Sequence, residues 1–169
     1  MNILETDRLI LRNATADDAP FILDLLNQPS FIRFIGDRGI RDLEGAREYI
    51  QTRLVKSYDS NGFGLYLTLL KEGDIPIGIC GLVKREGLDD VDIGFAFLPQ
   101  YESKGYGFES AAAIMDYSRN TLGLKRIAGI TTTDNHRSIR LLEKLGLKFE
   151  KMIKLPNDDE ELKFFIRTL

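Results

Sequence analysis

The chain has 169 residues, 43% hydrophobic and 29% charged, with a formal net charge of −3. That suits one domain with a buried core, taken as residues 1–169, and the acidic balance speaks against a nucleic-acid binder, whose binding face is basic. A single cysteine, Cys80, and a single histidine, His136, exclude an internal disulfide, a cysteine-based zinc cluster and a histidine-rich metal site, so no metal is expected.

No apolar run approaches the ~20 residues of a membrane-spanning helix. The first residues also lack the apolar stretch of a secretory leader, so the cytoplasm is the expected location and no membrane partner is expected. In chain order, residues 8–12 read as a short strand. Thr15 stands as an N-cap before a helix whose apolar positions are Phe21, Ile22, Leu25 and Leu26. The stretch 27–30 breaks that helix. Asp42 opens a second, running from Leu43 to about Ser57 with Ala46, Tyr49, Ile50 and Leu54 on one face, before a turn at 59–62. Three strands follow, 63–71, 75–83 and 88–98, joined by connections short enough to imply antiparallel neighbours. An alanine-rich helix spans Gly105 to about Thr121, then come a strand over 126–131, a helix over 135–145 closed by Gly146, and strands over 147–153 and 161–168. The order β-αα-βββ-α-β-α-ββ predicts an α/β (α+β) protein with a mixed, largely antiparallel central sheet flanked by helices.

The densest information lies where strand 92–98 runs through a short polar loop into the alanine-rich helix, with Gly105 and Gly107 at the junction. A helix start leaves backbone N–H groups without intrahelical partners, and glycines let an anion approach them, so this is a candidate phosphate cradle. Dinucleotide-binding and Walker-type loops fit poorly. The third glycine of the first is missing, the preceding strand belongs to an antiparallel meander, and no Gly-Lys-Ser/Thr is present.

Three segments carry a resemblance to a known family. Residues 5–12 (Glu-Thr-Asp-Arg-Leu-Ile-Leu-Arg), residues 92–109 from Asp92 through Gly105-Tyr-Gly107-Phe108-Glu109, and residues 135–146 (Asn-His-Arg-Ser-Ile-Arg-Leu-Leu-Glu-Lys-Leu-Gly) occur in the order and spacing of the GNAT superfamily of acetyl-CoA-dependent N-acetyltransferases. The chain most resembles the branch of ribosomal-protein N-terminal acetyltransferases (RimJ/RimL-type). One departure is Glu102, at the first position of a Gln/Arg-x-x-Gly-x-Gly/Ala signature, with Lys104 as a compensating point charge.

The resemblance implies that acetyl-CoA (coenzyme A) is the co-substrate and that the backbone N–H groups of Lys104, Gly105, Tyr106, Gly107 and Phe108 hold its pyrophosphate. It also implies that the pantetheine arm runs along the edge of strand 92–98, pairing at Phe97 and Leu98, with Asn135 hydrogen-bonding from the other side. Asn135 is equally an N-cap for helix 135–145. The implied function is transfer of an acetyl group to a primary amine, on a protein N-terminus or a small molecule, by direct attack in a ternary complex. A non-catalytic acyl-CoA-binding sensor or interaction module is the alternative, and a monomer and a homodimer both fit.

Such a transfer requires a neutral amine, donors for an oxyanion and a departing thiolate; backbone N–H groups near Phe97 are the candidate oxyanion donors. Strand alternation places Asp92 with Gly94 and Ala96 on one face, a carboxylate beside two small residues. The matching family position holds a Glu proposed to act through water, which makes Asp92 the candidate general base; a solvated acid or an ion-pair partner is the other reading. Where many members carry Tyr this chain has Leu142, and the resemblance points instead to Ser138, either as the acid for the thiolate or as a hydrogen-bonding partner of the cofactor. Deprotonating a lysine-like amine at pH 7 costs about 4.6 kcal/mol, an α-amine about 1 kcal/mol, so a sparsely equipped site favours an α-amine. Cys80 reads as a buried thiol, His136 as a solvent or cofactor contact, Tyr49, Phe63 and Tyr66 as core or pocket aromatics, residues 31–36 as an acceptor-recognition segment, and 156–160 as an acidic loop.

Overall fold

The computed structural model describes residues 2–169. Strands β1 (Asn2–Glu5), β2 (Leu9–Arg12), β3 (Leu65–Leu70), β4 (Ile75–Val83), β5 (Asp92–Phe97), β6 (Arg126–Thr132), β7 (Lys148–Ile153) and β8 (Leu162–Thr168) form one sheet, in the order β1-β2-β3-β4-β5-β6-β8-β7. Every neighbouring pair is antiparallel except β5 and β6. The mixed, largely antiparallel sheet flanked by helices is therefore present.

Helices α1 (Ala19–Leu26), α2 (Pro29–Phe34), α3 (Leu43–Tyr49) and α4 (Lys56–Asn61) cover one face, α5 (Tyr106–Asn120) and α6 (His136–Lys144) the other. On the first face Ile22, Leu25, Ala46, Ile50 and Leu54 pack on Leu67, Leu69 and Ile79. On the second, Ala111, Ile114, Met115 and Leu142 pack on Leu9, Cys80, Leu82, Ile93 and Phe165. The period-2 alternation of β5 is visible in this division: Val91, Ile93, Phe95 and Phe97 join the α5 side, Ala96 the α1 side.

Several boundaries differ from the sequence reading for identifiable reasons. β1 was not expected; it adds itself to β2 by antiparallel pairing, a tertiary gain that no local pattern announces. Pro29 does end α1, yet it also starts α2 as a first-turn residue with its φ pre-set. The helix read from Leu43 to about Ser57 consists of α3, a wider, π-helical stretch (Ile50–Val55) and α4, and it runs on to Asn61, where Gly62 closes it with a left-handed φ of 77°. β5 begins at Asp92, because residues 88–91 form a loop whose carbonyls at Leu88 and Asp89 accept from Lys84 Nζ at 2.9 and 2.8 Å.

β3 and β4 approach closely at Gly81, where a Cβ would lie 2.0 Å from the Gly64 carbonyl oxygen. Backbone cannot yield as a side chain does, so Gly81→Ala should destabilise the protein by about 3 kcal/mol, read from the midpoint of a urea unfolding curve.

Candidate active site

β5 is hydrogen-bonded to β4 from Asp92 to Phe97, but it meets β6 at one register pair only, Asp92–Ala128, where the Ala128 amide donates to the Val91 carbonyl at 2.9 Å. Beyond that point the two strands part. The wedge between them is the floor of a cleft of about 1000 Å³, walled by α2, α5, the 98–105 loop and α6.

Pairing alternates along an antiparallel strand, so each backbone group faces one neighbour only. The Leu98 amide donates to Ile77 O at 2.9 Å and its carbonyl accepts from the Tyr101 amide at 3.0 Å. Leu98 is thus turned toward β4, its side chain is buried among the α1-side residues, and it does not line the cleft. This corrects the expectation of a cofactor contact at Leu98. The backbone groups directed at the wedge are those of Phe95 and Phe97, both of which line it.

At the end of the wedge the chain enters the phosphate-loop candidate. Ser103 and Gly105 have left-handed φ values of 61° and 86°, which turn successive amides toward one side. The first helical bond of α5 runs from the Glu109 amide to Gly105 O at 3.0 Å. Among the described residues, no carbonyl accepts from the amides of residues 103–108. Gly105 is needed for its backbone angle, and a Cβ there would also come 3.2 Å from Arg8 Nη2; at Gly107 a Cβ would meet Leu141 Cδ2 at 3.3 Å. Gly105, Gly107 and Phe108 line the cleft, whereas the Lys104 and Tyr106 side chains do not.

Arg8, a residue the sequence reading did not select, braces this loop from behind. Its Nε donates to Glu109 Oε1 at 2.7 Å, its Nη1 to Lys104 O at 3.2 Å, and its guanidinium lies 4.4 Å from the Tyr106 ring centroid. Burial opposes ionisation of Glu109, but donors from Thr6 and Arg8 outweigh it and hold its pKa below the ordinary value. Glu102, the departure from the family signature, is ion-paired with Arg137 on α6. Lys104, expected to compensate it, is exposed and stands apart.

On the opposite bank, Asn135 Oδ1 accepts from the Ser138 amide at 3.2 Å, making it the N-cap of α6. Both Asn135 and Ser138 line the cleft, so capping and ligand contact are compatible. Leu142 is a core residue beneath Gly129.

Asp92 sits where the wedge closes, 1% exposed. Arg85 Nε, at the end of β4, donates to both of its carboxylate oxygens at 3.1 Å. Burial pushes the Asp92 pKa up to about 6, against the opposing pull of Arg85. The ion-pair reading of Asp92 is therefore realised, and the carboxylate is at the same time on the cleft wall. Arg85 was not anticipated.

Among the other residues singled out from sequence, Tyr49 and His136 line the cleft, while Phe63 and Tyr66 are core and Tyr66 stacks on Tyr58 at 5.4 Å. Burial raises the Cys80 thiol pKa to about 12, which leaves it inert at neutral pH. Within 31–36, Phe31, Phe34 and Ile35 line the cleft; the 156–160 loop is not on its wall. No described helix is long and apolar enough to cross a membrane, and the described residues hold no group of three or more potential metal ligands.

Comparisons with known proteins give the family and the fold. The acetyltransferase (GNAT) domain model matches residues 8–148. The chain is 32% identical over 154 residues to the uncharacterized N-acetyltransferase YoaA of Bacillus subtilis (strain 168), spanning 90% of this chain and 86% of that one. In structure it superposes on a GNAT-family acetyltransferase from Bacillus anthracis with a TM-score of 0.81 at 22% identity, covering 99% and 98% of the two chains. It superposes on RimL, a ribosomal-protein α-N-acetyltransferase solved in complex with coenzyme A, with a TM-score of 0.85 at 17% identity, covering 100% and 98%. The chain belongs to the acetyltransferase (GNAT) domain family and is an acetyl-CoA-dependent acetyltransferase.

The unpartnered amides and the open strand edge fit an elongated ligand with a diphosphate at one end. Gly107→Val, which adds an isopropyl group in front of those amides and against Leu141, should weaken coenzyme A binding by about tenfold or more while the circular-dichroism spectrum stays that of the wild type. Isothermal titration makes the comparison, and unchanged affinity would remove this loop from the site.

Proposed function

We propose that the protein acetylates a primary α-amine by direct attack within a ternary complex. The observation that carries this reading is the juxtaposition, in one cleft, of six unpartnered amides at 103–108, the free edge of β5 and the buried Asp92 carboxylate.

Bound acetyl-CoA supplies an acyl group already activated as a thioester. The amides of residues 104–108 hold its diphosphate, and the edge groups of Phe95 and Phe97, with Asn135 opposite, align its amide-bearing arm in the manner of an added strand. The Phe97 amide donates to the acyl oxygen as negative charge collects there.

Asp92 removes a proton from the acceptor, directly or through one water. An ordinary aspartate near 3.9 would leave a climb of about 5 kcal/mol from an α-ammonium near 7.8; at about 6 the climb is about 2.5 kcal/mol. Arg85 keeps the carboxylate ionised at neutral pH in a place where burial alone would favour the acid. As the C–N bond forms and the C–S bond breaks, one of the two protons shed by the ammonium leaves through Asp92 to solvent. The other reaches the sulfur, with the Ser138 hydroxyl as its donor on the α6 bank.

Asp92 works only when deprotonated, so kcat should rise with pH through about 6 and level above it. Asp92→Asn should lower kcat by about 10²-fold or more, abolish that limb and leave coenzyme A affinity intact. A Ser138→Ala variant should lose about tenfold in kcat. Coenzyme A binding without thiol release across a panel of amines would instead make the protein an acyl-CoA sensor.

A further inference from the structure

The charge of the cleft points to the chemistry of the acceptor. Although the whole chain carries −3, the cleft wall presents five cationic side chains, Arg38, Arg85, Arg137, Arg140 and Lys144, against two carboxylates, Asp92 and Glu102. Three of these cations stand on α6, on the bank that faces the phosphate loop. Arg137 is paired with Glu102, and Lys144 lies 4.3 Å from the centroid of Phe108, in the first turn of α5. Coenzyme phosphates account for that group.

They do not account for Arg38 and Arg85. Arg85 sits at the end of β4 beside Asp92, and Arg38 follows α2 in the loop leading to α3. Arg85 uses only Nε on Asp92; among the described residues its two terminal amino groups bond to nothing, although its side chain is only 31% exposed. Arg38 has no ion-pair or hydrogen-bond partner among the described residues and is exposed. The remaining wall on this side is apolar, including Phe34, Ile35 and Leu65.

Resting on the acetyl-transfer reading above, we infer that the acceptor is a small amine with a carboxylate beside its nitrogen and an apolar body, an apolar α-amino acid, whose carboxylate is read by Arg85 and Arg38. The two terminal nitrogens of a guanidinium match the two oxygens of a carboxylate side by side. An α-amino acid separates its amine and carboxylate by one carbon, and Asp92 and Arg85 are a base and a fork held in direct contact. The arrangement also assists the chemistry. A neighbouring carboxylate stabilises the ammonium form, and taking that carboxylate into an arginine fork withdraws the stabilisation, lowering the amine pKa toward that of Asp92. A polyamine meets the opposite situation: two cations, and one acid that is already paired.

Thiol release from acetyl-CoA by the full chain tests this with leucine, methionine and phenylalanine, each paired with its C-terminal amide, alongside spermidine and a short neutral peptide with a free N-terminus. The free acids should exceed their amides by about tenfold or more in kcat/KM. Arg85→Lys, which keeps a cation beside Asp92 but loses the fork, and Arg38→Gln, in an exposed loop, should each drive that ratio toward one by raising KM for the acid. Parity of acid and amide in the wild type, or spermidine or the peptide as the best acceptor, overturns the carboxylate reading and leaves acetyl transfer standing. Thiol release with none of the amines, in a protein that binds coenzyme A, overturns both.

Discussion

A β-strand has two edges, and in β5 they meet different fates. One is hydrogen-bonded to β4 over the whole strand; the other is bonded to β6 only where Asp92 meets Ala128. Unpaired backbone groups within a sheet need a partner from somewhere. Here they line a wedge, so the sheet itself supplies peptide-like donors and acceptors to whatever enters. The same divergence explains why Asp92 is so deeply placed, since it lies at the apex where the strands have not yet separated.

The other bank of the site owes its shape to restraints that arrive from distant parts of the chain. The amides of residues 103–108 have no carbonyl partner among the described residues, and Arg8 braces the turn by donating to the Lys104 carbonyl and the Glu109 carboxylate. The Glu102–Arg137 pair connects the loop to α6, so the acid at the first position of the glycine signature is neutralised by a partner three elements later. Asn135 does double service at the start of α6, as a helix cap and as part of the cleft wall.

The balance at Asp92 is set by two opposed effects, of which desolvation is the larger. Desolvation favours the neutral acid, while Arg85 favours the anion, and the outcome near 6 leaves a carboxylate that is charged at neutral pH yet more basic than one in water. A buried ion pair is usually a poor source of stability. Its value here is positional, because it holds carboxylate and guanidinium as one unit facing the cleft.

Much of this was legible in the linear sequence. Alternation in 92–97, helical periodicity in 106–120, and glycines at Gly105, Gly146 and the hairpin turns are local signals, and local signals fixed most strands and helices and the position of the glycine loop before α5. The face shared by Asp92, Gly94 and Ala96 followed from period 2 alone. The extra strand β1 and the turning away of Leu98 were not legible, because each depends on which neighbour a backbone group finds. Arg8 and Glu109 are 101 residues apart, and neither marks itself as the other's partner. The same holds for Arg85 beside Asp92 and Arg137 beside Glu102. Sequence determined which elements form and which residues have suitable chemistry. Tertiary structure decided which charges are paired, which strand edge stays open and which cations are left facing the cleft, since those are properties of distance in space.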